Sequence, residues 1–129
     1  MEPTKEYAKR CLELAKEYLE DSKKLLELKR FRSAIDRAYY AMFHAAQAIL
    51  AFKGIAPPKT HKGLRELFGK EIILKGLIEK DFGKDLTRAF ELRQASTYEV
   101  YAKFGEDVVG EIVEKAERFV SKIKELIKV

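Results

Sequence analysis

The feature that most constrains the fold is the stretch SAIDRAYYAMFHAAQAILAFK at positions 33–53. With 3.6 residues per turn it has a bulky apolar face, a second face made of alanines, and a polar face. The bulky face consists of Ile35, Tyr39, Met42, Phe43, Ala46 and Ile49, and the polar face of Arg37, Tyr40, His44 and Gln47. A helix that is apolar on two faces needs neighbours on both, so we predict that it lies at the centre of the fold.

Three other segments predict helices that can surround this centre. Apolar residues recur at helical spacing over 4–29 and 84–97, and an unbroken apolar stripe runs over 106–128. No segment alternates at period two for long enough to predict a sheet. The fold class predicted is all-α: one domain over residues 1–129, built as an up-and-down bundle of four to five helices.

The connection after the central helix is the longest irregular segment. KGIAPPKTHKG, residues 53–63, holds two of the three prolines and therefore ends that helix. Thr60 is placed to cap a short helix that runs to about Phe68. Residues 70–82 suit either a short helix or a turn, because their glycines weaken a long helix.

The net charge of +5 is unevenly distributed, with six Lys/Arg against two Glu in residues 53–75. This excess suits a phosphate-bearing partner, although solvated surface lysines explain it equally well. The candidate residues of this basic loop are Lys59, His61, Lys62 and Arg65. The chain has no Asn and is rich in Lys and Glu, which predicts a thermophilic source. The charged beginning MEPTKEYAKR leads us to expect a cytoplasmic protein without membrane contact.

Several kinds of active site are excluded by what the sequence lacks. It has no Gly-rich phosphate loop, no HExxH and no paired cysteines, and the single Cys11 is predicted to be a buried thiol. Neither His44 nor His61 has an acidic residue three positions before it, as carboxylate metal sites in bundles require. We therefore predict no metal site and no cofactor.

Arg93 is the residue whose position asks for a functional explanation. It follows Leu86, Ala89 and Phe90 at the spacing of one helix face, so its guanidinium shares the direction of core side chains. One explanation is a phosphate ligand, which Arg binds with its planar fork. The other is an internal salt bridge, for instance with Asp36.

The run RAYYAMFHAAQAIL (37–50), then KTHKGL (59–64), then Arg93 with Tyr98 before a last amphipathic helix, resembles the HEPN domain family of small prokaryotic proteins. The resemblance covers nearly the whole chain. It implies an up-and-down helical bundle that pairs into a homodimer. It also implies a nucleotide- or RNA-linked role, often as the partner of a minimal nucleotidyltransferase in a toxin–antitoxin pair.

In ribonuclease members of this family, an Arg followed after four to six residues by a His lines a cleft between two protomers. Arg93 matches that Arg, but Tyr98 stands where the His is expected, with Tyr101 beyond it. Tyrosine titrates near pH 10 and rarely acts as a base at neutral pH, whereas it stacks well on nucleobases. We therefore expect binding rather than catalysis, in a candidate cleft of Arg93, Tyr98, Tyr101, Arg37, Tyr40 and His44.

Two alternatives remain open from the sequence. The chain is an active, metal-independent endoribonuclease toxin if His44 or His61 supplies the missing proton transfer. It is a purely structural bundle if Arg93 serves only an internal ion pair. Dimerisation is expected in addition because the central helix has more apolar surface than one small bundle can cover, and the last helix adds to that excess.

Overall fold

A computed structural model describes residues 5–127 of the chain. The described part contains five α-helices and no strand, which confirms the all-α prediction. The helices are α1 (Lys5–Glu27), α2 (Phe31–Phe52), α3 (His61–Phe68), α4 (Lys80–Tyr98) and α5 (Glu106–Ile127), and one π-helical turn (Gly69–Ile73) continues α3. Positions 4 and 128, where we expected the first helix to begin and the last to end, lie outside the described residues.

Helix α2 is the centre of the bundle, as predicted. It packs against α1, α5, α4 and α3. The apolar residues of its bulky and alanine faces are all buried within this one chain. The expectation that α2 has more apolar surface than one chain can cover is therefore wrong. Four neighbouring elements close around it, and the apolar stripe of α5 is likewise almost wholly buried.

Small residues let α1 and α2 approach closely as an antiparallel hairpin. Ala8, Ala15 and Ser22 of α1 are fully buried, and so are the alanines of α2 that lie towards it. The Ser22 hydroxyl donates a hydrogen bond to the carbonyl oxygen of Ala34 at 2.8 Å, which joins the two helices near their turn. In that turn Lys29 adopts the left-handed conformation that commonly ends a helix.

The structure of the segment between α2 and α4 shows which of the two conformations expected for residues 70–82 is present. Thr60 caps α3 as predicted, because its hydroxyl accepts a hydrogen bond from the backbone N–H of Gly63 at 3.0 Å. A turn containing Gly76 follows the π-helical turn. Helix α4 begins at Lys80 rather than at residue 84, so it includes Gly83. Burial of Phe82 against Phe119 of α5 offsets the weak helix propensity of that glycine.

Within residues 5–127, no helix is both long enough and apolar enough to cross a lipid bilayer.

Candidate functional site

The candidate site is a group of aromatic and charged side chains at which α2, α3 and α4 meet. We call it the α2–α4 cluster and define it as Tyr39, Tyr40, His61, Phe90 and Arg93. The rings of Tyr39, His61 and Phe90 contact each other pairwise, with centroids 5.5–5.6 Å apart. Tyr40 lies beside them, 5.9 Å from His61 between ring centroids. One polar edge of a mostly apolar core thus collects a histidine, two tyrosines and an arginine.

Local structure explains why these side chains meet. Tyr39 belongs to the bulky face of α2 and is fully buried, whereas Tyr40 belongs to the polar face and is half-buried. His61 is the first residue of α3, so the Thr60 cap fixes where its backbone stands against α2. Arg93 lies three residues after Phe90 on α4 and therefore shares its helix face.

Arg93 has an internal partner, as the salt-bridge alternative predicted. Its side chain is only 18% exposed, and its Nε lies 3.3 Å from Oδ1 of Asp36 on α2. Its Nη1 donates to Oε1 of Gln94 at 3.1 Å, and its guanidinium lies 5.4 Å from the Tyr40 ring centroid. Arg37 Nη1 lies 3.6 Å from the other oxygen of the same carboxylate. Two guanidinium groups therefore share one carboxylate, which leaves a net positive charge at the edge of the cluster.

His61 is held by a hydrogen bond between its Nδ1 and the Tyr39 hydroxyl, at 2.7 Å. Burial, followed by the nearby charges of Arg93 and Arg65, lowers the pKa of His61 below its ordinary value of 6.5. Burial also raises the pKa of Tyr39 strongly, against the opposing influence of Arg65. At neutral pH the imidazole is therefore uncharged and the phenol keeps its proton. The pair is a neutral hydrogen-bonded unit beside two guanidinium groups.

The remaining polar residues of α2 face α1 instead of Arg93. Tyr18 of α1 stacks on His44 with ring centroids 5.1 Å apart, and the Arg37 guanidinium lies 5.2 Å from the centroid of Tyr18. His44 Nδ1 bonds to Gln47 Oε1 at 2.9 Å, while burial lowers the pKa of His44. From the sequence, Tyr18 was expected only as one of the apolar positions at helical spacing over residues 4–29. Helical spacing alone does not show that Tyr18 contacts His44 and Arg37 of α2.

The two tyrosines after Arg93 are not drawn into the cluster. Tyr98 is 69% exposed at the end of α4, and Tyr101 is 96% exposed in the following loop. Five residues along an α-helix place Tyr98 on a different face from Arg93. Within the part of the chain that the structure describes, no hydrogen bond, ion pair or cation–ring contact joins either tyrosine to Arg93.

The residues proposed for the basic loop divide into two pairs. Lys59 and Lys62 are exposed, and Lys62 lies 3.9 Å from Glu66 in an i,i+4 ion pair. His61 and Arg65 instead turn towards the bundle, where the Arg65 guanidinium stacks 3.9 Å from the centroid of Phe90. Arg65 was expected as a candidate of the basic loop, and it borders the α2–α4 cluster because α3 packs against α4.

No group of three or more His, Cys, Asp or Glu side chains in residues 5–127 is arranged to hold a metal ion. The polar groups that the α2–α4 cluster offers are the guanidinium of Arg93, the imidazole of His61 and the phenol of Tyr40, and the guanidinium of Arg65 borders it. Such groups suit an oxyanion together with a flat ring, because Arg binds phosphate and aromatic side chains stack on bases.

The fold and the site together define a small all-α bundle with a half-buried cationic and aromatic cluster at one edge. The chain belongs to the HEPN domain family, whose model matches residues 8–126. A Methanocaldococcus jannaschii protein named "Putative toxin" is 38% identical over 91% of this chain and 86% of its own length. A UPF0332 protein of Thermotoga maritima is also 38% identical, over 88% of this chain and 85% of its own length. A second Methanocaldococcus jannaschii protein named "Putative toxin" is 27% identical over 92% and 80% respectively.

Proposed function

We propose that this HEPN-domain protein binds RNA or a nucleotide through the α2–α4 cluster. Its role would be that of one component of a toxin–antitoxin-type pair whose other component is a minimal nucleotidyltransferase. Family membership and the names of two relatives support the toxin–antitoxin setting. The geometry of Arg93 supports the binding site.

The observation that carries the proposal is the half-satisfied guanidinium of Arg93. Asp36 and Gln94 engage Nε and Nη1, and no described residue accepts a hydrogen bond from Nη2. A phosphate oxygen can accept a hydrogen bond from that free donor, and the carboxylate shared by Arg93 and Arg37 leaves one net positive charge on the two guanidiniums. Tyr40 and His61 beside it provide flat surfaces for a base.

A homodimer is part of this proposal. Tyr98 stands where the family's ribonucleases carry a histidine, with Tyr101 beyond it, yet both side chains are exposed and Tyr98 lies on a different helix face from Arg93 of the same chain. A second protomer is the simplest way to bring a Tyr98 side chain to an Arg93 cleft. Because a tyrosine replaces the histidine, we expect ribonuclease activity to be weak or absent.

A second candidate function is metal-independent RNA cleavage by His61. The observation that favours it is the placing of an uncharged His61 between Tyr39 and the guanidiniums of Arg65 and Arg93. If Nδ1 donates to the Tyr39 oxygen, Nε2 is free to take a proton from a 2′-hydroxyl while Arg93 stabilises the phosphate. His44 is less suited, since Tyr18 stacks on it and its contact with the cluster is to Tyr40, with ring centroids 6.4 Å apart.

The binding test compares Arg93→Ala with Arg118→Ala, using the anisotropy of a fluorescein-labelled single-stranded RNA. Arg118 is a matched control because its guanidinium also lies over a ring, 4.5 Å from the centroid of Phe82, on a different side of the bundle. We expect Arg93→Ala to weaken binding about tenfold or more, the size of a directed charge-assisted contact, and Arg118→Ala less than about twofold. Equal small losses in two folded variants would favour the purely structural role of Arg93.

The cleavage test uses the same RNA in the presence of EDTA. We expect weak or absent cleavage by the wild type. If cleavage appears in Tyr98→His, the cleft has the geometry of a ribonuclease site but serves only for binding in this chain. Efficient wild-type cleavage that is lost in His61→Ala would instead establish the second candidate.

A further inference from the structure

A separate groove lies between α4 and the wall formed by α3 and its π-helical turn. It encloses about 450 Å³, which is within the usual range of small-ligand sites. Phe68 and Ile73 lie on one wall, and Gly83 and Leu86 on the other. We call it the α3–α4 groove. Neither the HEPN resemblance nor the α2–α4 cluster accounts for it.

The groove is lined by four cations and one carboxylate. Lys80, Lys84 and Arg88 follow each other at intervals of four residues, so they form a row along one face of α4. Arg65 faces them from α3, and Glu91 is the one acidic residue of the lining. Such a row concentrates positive potential in a concave surface, which favours a ligand with more than one negative charge.

These cations are not used by the fold. Lys80, Lys84 and Arg88 are exposed, and none forms an ion pair with a carboxylate in residues 5–127. The acidic residues next to them in sequence are engaged elsewhere, since Asp85 pairs with Lys115 at 3.6 Å and Glu79 with Lys122 at 3.5 Å. Like charges four residues apart on a helix repel each other, so an anion bound among these three would stabilise α4.

Arg65 supplies a second, independent observation. Its Nη1 is buried and has no hydrogen-bond acceptor among the described residues, while its guanidinium stacks on Phe90. Burying a charged donor without an acceptor costs free energy. A negatively charged group in the groove would stabilise the Arg65 guanidinium through its charge, without a direct bond to the buried Nη1.

The groove also has room where a side chain could have closed it. A Cβ on Gly69 would meet nothing within 4 Å, and a Cβ on Gly83 would meet only Ile73, at 3.4 Å. Gly83 lies inside α4, where glycine is less favourable than alanine by about 0.5–1 kcal/mol. Alanine would fit there without strain, so the backbone does not require glycine. Glycine at position 83 therefore leaves this wall of the groove without a side chain, and it makes α4 less stable than alanine would.

From this geometry we infer that the α3–α4 groove is a second binding site, for the phosphate groups of a nucleotide or of an RNA backbone. Lys80 and Lys84 act as point charges, and Arg88 contributes the planar fork that matches a phosphate. The apolar wall of Phe68 and Ile73 suits the ring or ribose that accompanies phosphate in either source. The site does not depend on ligand binding at Arg93.

The test replaces two groove cations and compares them with two cations elsewhere. The groove variant is Lys84→Glu/Arg88→Glu, and the control is Lys9→Glu/Lys16→Glu, which makes the same change of net charge on exposed positions of α1. Lys84→Ala/Arg88→Ala is a milder second variant with the same expected direction. Calorimetric titration with ATP and with pyrophosphate, and anisotropy with labelled single-stranded RNA, are measured on each after thermal melting has shown that it is folded.

The two sources of phosphate give different results. A nucleotide site predicts that ATP binding weakens at least tenfold in the groove variant and less than twofold in the control. An RNA-backbone site predicts a comparable loss for RNA without ATP binding, with a salt-dependence slope lower by about one to two in the alanine variant. The inference is overturned if none of the probes binds the wild type, or if groove and control variants lose affinity equally. The same probes are measured on Arg93→Ala: affinity lost only in the groove variant supports the groove and counts against the cluster, and affinity lost only in Arg93→Ala does the reverse.

Discussion

At the residue scale, Asp36 controls how available Arg93 is to a ligand. Its carboxylate is shared between Arg93 and Arg37 and competes with any incoming phosphate. We predict that Asp36→Asn tightens RNA binding roughly fivefold, corresponding to the ~1 kcal/mol of a partly exposed ion pair, although it removes an internal contact. The anisotropy titration above measures this, with the exposed Asp21→Asn of α1 as the control for lost negative charge. Equal gains in both variants would assign the effect to net charge alone.

The two histidines predict a loss of stability on mild acidification. Burial lowers the pKa of His61 and of His44 below the ordinary value of 6.5, so the unfolded chain binds protons at higher pH than the folded one. Their contribution is complete above about pH 6.5 and is lost as pH falls through that value towards the folded pKa. Glu71 and Glu79, whose pKa values are lowered from 4.5, act only at lower pH.

We therefore expect the Tm of the wild type to fall between pH 7.5 and pH 5, and to fall less in His61→Gln and least in His61→Gln/His44→Gln. Thermal melting followed by circular dichroism over that range measures it. A wild-type profile without slope, or the same slope in the double variant, would contradict the assignment.

A contact of the site could be predicted from the sequence only when the positions of residues on one helix face were enough to imply it. A charge among core positions needs a partner, so the Arg93–Asp36 pair could be proposed from the sequence and is present in the structure. The His61–Tyr39 bond could not, because it depends on the path of an eight-residue loop rather than on periodicity. Tyr18 was missed for a related reason, since the crossing of α1 and α2 decides which polar residue it covers.

At the scale of elements, one side chain holds the end of α4 and the loop that follows it. Arg32 Nη1 donates to the carbonyl oxygen of Ser96 at 2.6 Å, and its Nη2 reaches those of Glu99, Val100 and Ala102 at 2.5–3.2 Å. Its guanidinium also lies 5.2 Å from the centroid of Phe104. This fork anchors the segment that carries Tyr98 and Tyr101.

We predict that Arg32→Lys, which keeps the charge but not the fork, lowers the free energy of unfolding by about 1–3 kcal/mol. Amide hydrogen exchange should accelerate in residues 98–105 and stay unchanged in the middle of α2. Arg30→Lys, an exposed neighbour, is the control. If exchange in residues 98–105 is the same in both variants, Arg32 does not anchor this loop.

The ends of a helix were predicted correctly where its apolar stripe was continuous. The prediction was wrong where a glycine interrupted the stripe. Helices α2 and α5 were located to within two residues at the ends that the structure describes, because periodic burial determines them. The start of α4 was placed four residues late, since local propensity counts Gly83 against a helix while the packing of Phe82 on α5 does not. The π-helical turn after α3 carries no local sequence signal.

At the scale of the whole molecule, most of the exposed apolar surface does not lie on the central and last helices, where the sequence led us to expect it. The number of helices around α2 depends on how closely alanine and serine allow α1 to approach. This interhelical distance cannot be predicted from the spacing of apolar residues along the sequence. The large exposed apolar side chains lie instead at the bundle ends. Tyr98, Val100 and Tyr101 are one group, and Leu74 and Leu77 belong to another.

The final prediction is that the first of these groups forms a homodimer interface. Tyr98, Val100 and Tyr101 are 69%, 81% and 96% exposed, close together in a segment that Arg32 anchors by hydrogen bonds, so covering them costs little ordering entropy. Light scattering at micromolar concentration should give about twice the 14.9 kDa chain mass. Tyr101→Glu should yield a monomer, because it buries a charge in an apolar contact.

Leu74→Glu is the matched control, since Leu74 is 80% exposed in the other apolar group, and this variant should remain a dimer. If Leu74→Glu dissociates the dimer and Tyr101→Glu does not, the interface lies at the opposite end of the molecule. A wild type that is monomeric under these conditions would remove the two-protomer cleft. Arg93 would then have to bind its ligand, if it binds one, with the residues of a single chain.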